Sequence, residues 1–220
     1  MKKTIFSLMA FAAFTSATYA QTPDIKIGAK AGVNFANVTD GDMKTGFHVG
    51  GLVEIFINEK FSVQPELLYS TQGSKTSSSY SVNMPSIPGF PSIGGNFDSK
   101  SELKLDYINV PIMAKYYVIE GLSVQAGPQI GFLIKGEMSG SGSSSSDIIP
   151  GTSSSLEVDG NIKSQLNSVD FGLNFGVGYE LPMGVFADAR YNLGLNKVPK
   201  EKELGDYKNS VIQISVGYKF

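Results

Sequence analysis

His48 is the only histidine in the chain. An imidazole set between a serine hydroxyl and a carboxylate is how lipases and deacylases of membrane lipids activate a nucleophile. No pattern around His48 places such partners beside it, so it is expected to be a polar residue inside the fold. The stretch TDGD at 39–42 brings two carboxylates together, but a calcium loop needs further spaced carboxylates. A turn is the expected reading. The other charges of interest are Lys26, Lys30, Glu54, Glu66, Asp170, Glu180, Asp188, Arg190 and Lys219, each standing between apolar neighbours. Interleaved charges of opposite sign at such positions suit an ion-pair network better than a reaction centre. No catalytic residue, metal or cofactor is expected.

Strands must position those charges. Period-two alternation marks eight segments: 25–36, 46–57, 61–72, 102–118, 122–135, two within 170–195, and 208–220. In DFGLNFGVGYELPMGVFADARYNLGL, from 170 to 195, Phe171, Leu173, Phe175, Val177, Tyr179 and Leu181 alternate with Asp170, Gly172, Asn174, Gly176, Gly178 and Glu180. The second segment carries two apolar exceptions on its polar face, Leu52 and Phe56. The fourth changes phase: Leu103, Leu105 and Tyr107 are odd, whereas Ile108, Val110, Ile112, Ala114 and Tyr116 are even. This predicts a β-bulge near Tyr107, and only with that bulge does Lys115 turn to the polar face. Pro111 lacks a ladder donor and adds to the irregularity.

Connection lengths alternate. Tight turns at 58–60, 120–121 and 182–184 are interspersed with long loops at 37–45, 73–101, 136–168 and 196–207. An even strand number with short turns at one rim and long loops at the other describes an outer-membrane barrel, and strands of about ten residues suit a tilted crossing. The polar face is crowded with glycine, at 28, 32, 50, 127, 131, 172, 176, 178 and 217. A water-exposed surface gains nothing from this, but the narrow interior of an eight-stranded barrel does. Aromatic residues fall near strand ends as two girdles, with Phe35, Phe47, Tyr69 and Phe171 towards the loop rim. Tyr116, Tyr117, Tyr179, Tyr218 and Phe220 lie towards the turn rim. The fold expected is therefore all-β: an eight-stranded antiparallel up-and-down transmembrane β-barrel whose apolar face meets lipid. A lipocalin-like barrel, with that face lining a ligand cavity, would leave the glycine-rich face exposed and the loop asymmetry without cause.

Export fits this reading. Lys2 and Lys3, an apolar run and TSATYA ending at Ala20 form a secretory signal peptide over 1–20, with the barrel domain at 21–220. The apolar run is shorter than the roughly 20 residues a spanning helix needs. The absence of cysteine rules out disulfides, thiolate metal sites and a lipid-modified N-terminal cysteine. Without Lys2 and Lys3, 16 basic side chains face 20 acidic ones. With no basic cluster either, the charge that nucleic-acid binding requires is missing.

Several stretches together resemble the PorT-like outer-membrane β-barrel family typical of Bacteroidota: GAKAGVNFA at 28–36, PELLYS at 65–70, YINVPIMAKYY at 107–117, SVQAGPQIGFLIKG at 123–136, FADARYNLGL at 186–195 and ISVGYKF at 214–220. The resemblance implies an outer-membrane location, an eight-stranded barrel and, through the family's namesake, a link to protein secretion. The family often has an acidic residue where this chain has Asn109, so no lumen ion pair is carried over to that position. The ending VGYKF, with Tyr218 and Phe220, resembles the C-terminal signal read by the barrel-assembly machinery.

Function is expected at the rims. Glu54, Glu66, Lys115, Asp188 and Arg190 are assigned to a lumen charge network that plugs the barrel. In SKTSSSYSVNMPSIPGFPSIGGNFDSK, residues Tyr80, Met84, Ile87, Phe90 and Phe97 are candidate contact groups. The serine-rich SGSGSSSSDIIPGTSSS is expected to be a flexible, solvated loop. The expected role is a non-enzymatic envelope anchor, surface-binding or accessory protein. Its expected partners are outer-membrane lipids, the assembly machinery and envelope secretion components.

Overall fold

The computed structural model describes residues 24–39, 41–83, 94–146, 153–200 and 207–220. The segment 1–20, Met84, Ile87 and Phe90 lie outside them. Among the described residues there are nine antiparallel strands: β1 (Ile25–Val38), β2 (Asp42–Phe56), β3 (Phe61–Asn83), β4 (Gly94–Ile119), β5 (Leu122–Ser146), β6 (Ser153–Asn161), β7 (Val169–Glu180), β8 (Val185–Lys197) and β9 (Lys208–Lys219). Neighbours in sequence pair, β9 closes on β1, and β5 skips β6 to pair β7. Eight strands thus form a closed all-β barrel. The ninth, β6, adds to the part of β5 that rises above it.

The tight turns fall where alternation stops. Gly121 and Gly184, with φ of +78° and +90°, occupy backbone conformations that cost a side chain about 1 to 2 kcal/mol. Inside the barrel, a Cβ on Gly32 would lie 2.0 Å from the Ile214 carbonyl oxygen and 2.6 Å from the His48 ring. Glycine there makes room for the histidine.

Four expectations need correction. Two of the long loops, 73–101 and 136–168, are largely strand among the described residues: β3 and β4 pair in one register from Phe61–Tyr116 up to Asn83–Gly94, with a break opposite Val110 and Pro111, and β5 continues through the serine-rich run to Ser146. Serine has little intrinsic pull towards strands, but cross-strand pairing on both sides of β4 recruits it. The first loop shrinks to the few residues between Val38 and Asp42. The bulge lies not on β4 but on β5, where Tyr107 faces Leu133 while Asp106 faces Lys135. Leu133 and Gly136 are buried while Ile134 and Lys135 are exposed. On β4 every odd residue from Leu105 to Lys115 is buried, so Lys115 points inward with no phase change on its own strand. Tyr117 follows the same phase and belongs to the lumen, not to the girdle.

The lipid face otherwise forms as the alternation requires. Ile27, Val33, Leu67, Ile112, Val124, Phe175, Val177 and Ile214 are exposed. Aromatic pairs mark the rims: Phe47 with Tyr69, ring centroids 5.7 Å apart, on the loop side, and Phe61 with Tyr116 at 4.8 Å and Tyr218 with Phe220 at 5.0 Å on the turn side.

Candidate functional site

The side chains that point into the lumen fall in three layers. Nearest the turns, Glu54 takes ion pairs from Lys115 Nζ at 3.0 Å and Lys219 Nζ at 2.5 Å. Glu180 takes Lys219 at 2.6 Å and Lys26 at 2.8 Å. The Tyr117 hydroxyl donates to Glu54 Oε1 at 2.7 Å, and Ser62 Oγ donates at 2.5 Å. Immediately above, Arg190 donates to both oxygens of Glu66, at 2.9 and 2.7 Å. Its Nε lies 3.3 Å from Asp188, and Lys30 Nζ lies 2.9 Å from Glu66. Gln64 links the two groups, donating to Glu66 at 2.6 Å and accepting from Lys115 at 3.3 Å. The five residues Glu54, Glu66, Lys115, Asp188 and Arg190 therefore meet in one network. Lys26, Lys30, Tyr117 and Lys219 complete it.

Amides and hydroxyls make the middle layer, which includes Asn34, Ser70, Gln129, Asn174, Asn192, Gln213 and Ser215 around His48. Asn34 Nδ2 donates to the Phe47 and Thr71 carbonyls and to Ser70 Oγ, which leaves its Oδ1 as the acceptor for His48 Nδ1 at 2.7 Å. His48 Nε2 then faces Ser215 Oγ at 2.8 Å, and Ser215 Oγ lies 3.1 Å from Asp188 Oδ1. A serine, a histidine and an aspartate are thus adjacent, which the sequence did not disclose because the three come from β9, β2 and β8. Their order differs from a nucleophilic relay. In a relay the carboxylate holds the far nitrogen of the imidazole; here an amide holds it and the carboxylate sits on the serine. Both His48 and Ser215 are 1% exposed, and their bonds join the amide layer to the charge network.

Apolar residues cap the lumen at the loop rim. Val38, Leu105, Tyr107, Leu133, Leu166 and Val198 form a buried cluster. Above it an open apolar hollow of about 390 Å³ is lined by Leu103, Met138, Ile162 and Tyr207 among others. Asn109, buried beneath this cap, leaves its Nδ2 without a hydrogen-bond partner among the described residues. At the other end a vestibule of about 710 Å³ opens between the turns, with Lys26, Lys60, Tyr117, Glu120 and Glu180 in its wall.

Beyond the loop rim, β3, β4, β5 and β6 continue as a four-stranded sheet. From Gly73 to Asn83, at roughly 3.4 Å per residue, it projects on the order of 35 Å. Tyr80 pairs with Phe97 across β3 and β4, and both are exposed. They share the face that continues the lumen wall with Thr76, Ser78, Ser99, Leu103, Met138, Leu156 and Val158. The opposite face carries Lys75, Asp98, Lys100, Lys104, Glu102, Glu137, Glu157 and Asp159. Ser79 Oγ donates to Asp98 there at 2.7 Å. Among the described residues no cluster of His, Cys, Asp and Glu fits a metal ion; of the TDGD stretch, Asp42 begins β2 and the Gly41 amide before it donates to the Val38 carbonyl at 2.9 Å.

Similar solved structures are small membrane barrels. Neisserial surface protein A shares 15% identity over 91% of this chain and 100% of its own, with a TM-score of 0.47. Ail, the attachment invasion locus protein of Yersinia pestis, shares 15% over 91% and 100%, with a TM-score of 0.42. CarO2 of Acinetobacter baumannii shares 14% over 91% and 100%, with a TM-score of 0.41. Among curated proteins none matches this sequence. The outer membrane protein beta-barrel domain family matches residues 19–199, most of the chain. Together with the closed eight-stranded ring and its lipid-facing apolar surface, that match places the protein in the outer membrane, and the chain belongs to the outer membrane protein beta-barrel domain family.

Proposed function

We propose that this protein is a non-enzymatic, plugged outer-membrane barrel that anchors a projecting sheet as a contact surface outside the cell. The observation carrying this reading is the pairing of a packed lumen with an extension whose apolar groups are exposed. Tyr80, Phe97, Leu156 and Val158 stand on one face in contact with water, an arrangement that is costly unless a partner covers it. By the usual orientation of such barrels, short turns face the periplasm and long hairpins the exterior. The lipid belt contacts outer-membrane lipids, and Tyr218 with Phe220, both on the outer surface at the turn rim, serve the assembly machinery as a C-terminal signal.

The burial of His48 and Ser215 supports the non-enzymatic reading. His48→Ala is expected to leave lipid A and phospholipid profiles unchanged, and an altered profile would restore a lipid-modifying enzyme. Purification of a tagged protein from outer membranes in mild detergent, with mass spectrometry of what is retained, tests the contact role. Lys75 and Glu102 pair directly, so residues 76–101 can be replaced by a two-residue Asn-Gly turn. A partner held by the wild type and lost by this variant is the expected result; equal retention by both would refute the role.

A second reading follows from the turn-side vestibule and the PorT-like stretches: an accessory of protein secretion that meets its partner in the periplasm. Recovery of secretion components lost on Lys60→Glu, but kept when the hairpin is shortened, would favour it over the first.

A further inference from the structure

We propose that the free edge of β6 accepts an extended segment of another protein in which basic and apolar residues alternate, adding a strand to the projecting sheet. The proposal rests on the contact role argued above and names its partner's chemistry.

Among the described residues β6 pairs with β5 along one edge and with nothing along the other. A sheet edge of this kind leaves backbone N–H and C=O groups ready for a further strand. Protected edges carry proline, charged side chains (lysine above all), a bulge or an inward charge. Of these devices the β6 sequence SSSLEVDGN has only two outward carboxylates, which repel an acidic strand but not a basic one; its inner face presents Leu156 and Val158, 69% and 58% exposed. Its outer face presents Glu157 and Asp159, which form no ion pair among the described residues. These two carboxylates border a shallow groove of about 370 Å³ with Lys100, Ser139 and Ser141.

Strand geometry turns this pattern into a requirement on the partner. An added strand sets its residues directly beside those of β6, successive ones on opposite faces. Two residues spaced by one fall beside Glu157 and Asp159, where cations are favoured, and their neighbours fall beside Leu156 and Val158, where apolar groups are favoured. Backbone bonds supply affinity and the alternation supplies selectivity, as in other strand additions. A second copy of this chain is a poor occupant, because pairing β6 with itself sets acid against acid across the ladder.

The test uses the full-length protein in nanodiscs of uncharged phosphatidylcholine, which removes bulk attraction of cations to lipid. Fluorescent peptides of eight residues are titrated by anisotropy: alternating Lys-Val, alternating Glu-Val, and a Lys-Val composition in two blocks. The alternating Lys-Val peptide is expected to bind wild type, with the other two at least about tenfold weaker, the scale set by two cross-strand charge pairs. E157K/D159K is expected to reverse the preference and bind the Glu-Val peptide, which mere loss of structure would not produce. N-methylation of alternate amides in the Lys-Val peptide should abolish binding. Equal binding of blocked and alternating peptides, no preference reversal, or no binding would overturn the proposal. So would self-association of wild type abolished by E157K/D159K, since it would make the occupant a second copy. An outer-membrane partner retained equally by wild type and E157K/D159K would leave the contact role standing and remove the β6 edge from it.

Discussion

Within the membrane the outer face of the sheet is apolar and the inner face polar; above the loop rim the two exchange. On β4 the crossover falls between Tyr107 and Asp106. Below it Ile108, Val110 and Ile112 face outward and Asn109 and Lys115 inward, and above it Lys104, Glu102 and Lys100 face outward and Leu105 and Leu103 inward. The backbone of β4 keeps its phase through this change. What changes is the solvent, since lipid rejects charge on the outer wall and water accepts it. The apolar cluster sits at the exchange, between the polar lumen below and the exposed apolar face above.

Substitutions of one kind should therefore have unequal effects in the two regions. Arg190→Ala leaves Glu66 and Asp188 buried without their guanidinium partner and is expected to cost about 3 to 5 kcal/mol, whereas Glu157→Ala on the projecting sheet should stay within about 0.5 kcal/mol. Urea unfolding in lipid vesicles measures both, and equal effects would abolish the distinction. Phe175→Lys places a charge in the lipid belt and should cost about 2 to 4 kcal/mol, while Val158→Lys on the sheet should change stability by no more than about 0.5 kcal/mol. His48→Ala strips a donor from Asn34 Oδ1 in the middle layer and should cost about 1 to 3 kcal/mol in the same assay. A neutral result would mean that the amide layer re-forms its bonds without the imidazole.

The barrel was legible because lipid and a narrow lumen impose opposite demands on successive residues. The strand cores at 25–36, 46–57, 170–181 and 208–220 therefore show themselves by alternation alone. Most of the projecting sheet was not, because the serine and glycine runs at 77–79 and 139–146 satisfy either face in water and leave no period, and the alternation of Leu156, Glu157, Val158 and Asp159 is too short to stand out among them. The same blindness misplaced the bulge: an exchange of polarity at Tyr107 reads in sequence like a slip of phase, and only the register against β5 tells them apart. Of the candidate site, the lumen charges were visible as isolated ionic residues among apolar neighbours, but their partners were not. Glu66 and Arg190 are 124 residues apart, and only barrel closure brings them together.

Recording from the purified protein in a planar bilayer tests the central claim, that a sealed lumen anchors an exposed sheet. If the charge, amide and apolar layers close the interior of the eight-stranded barrel as proposed, no steady conductance is expected, and Arg190→Ala should be the variant most prone to transient openings. A stable, voltage-independent open state in the wild type would contradict the account and make the protein a channel.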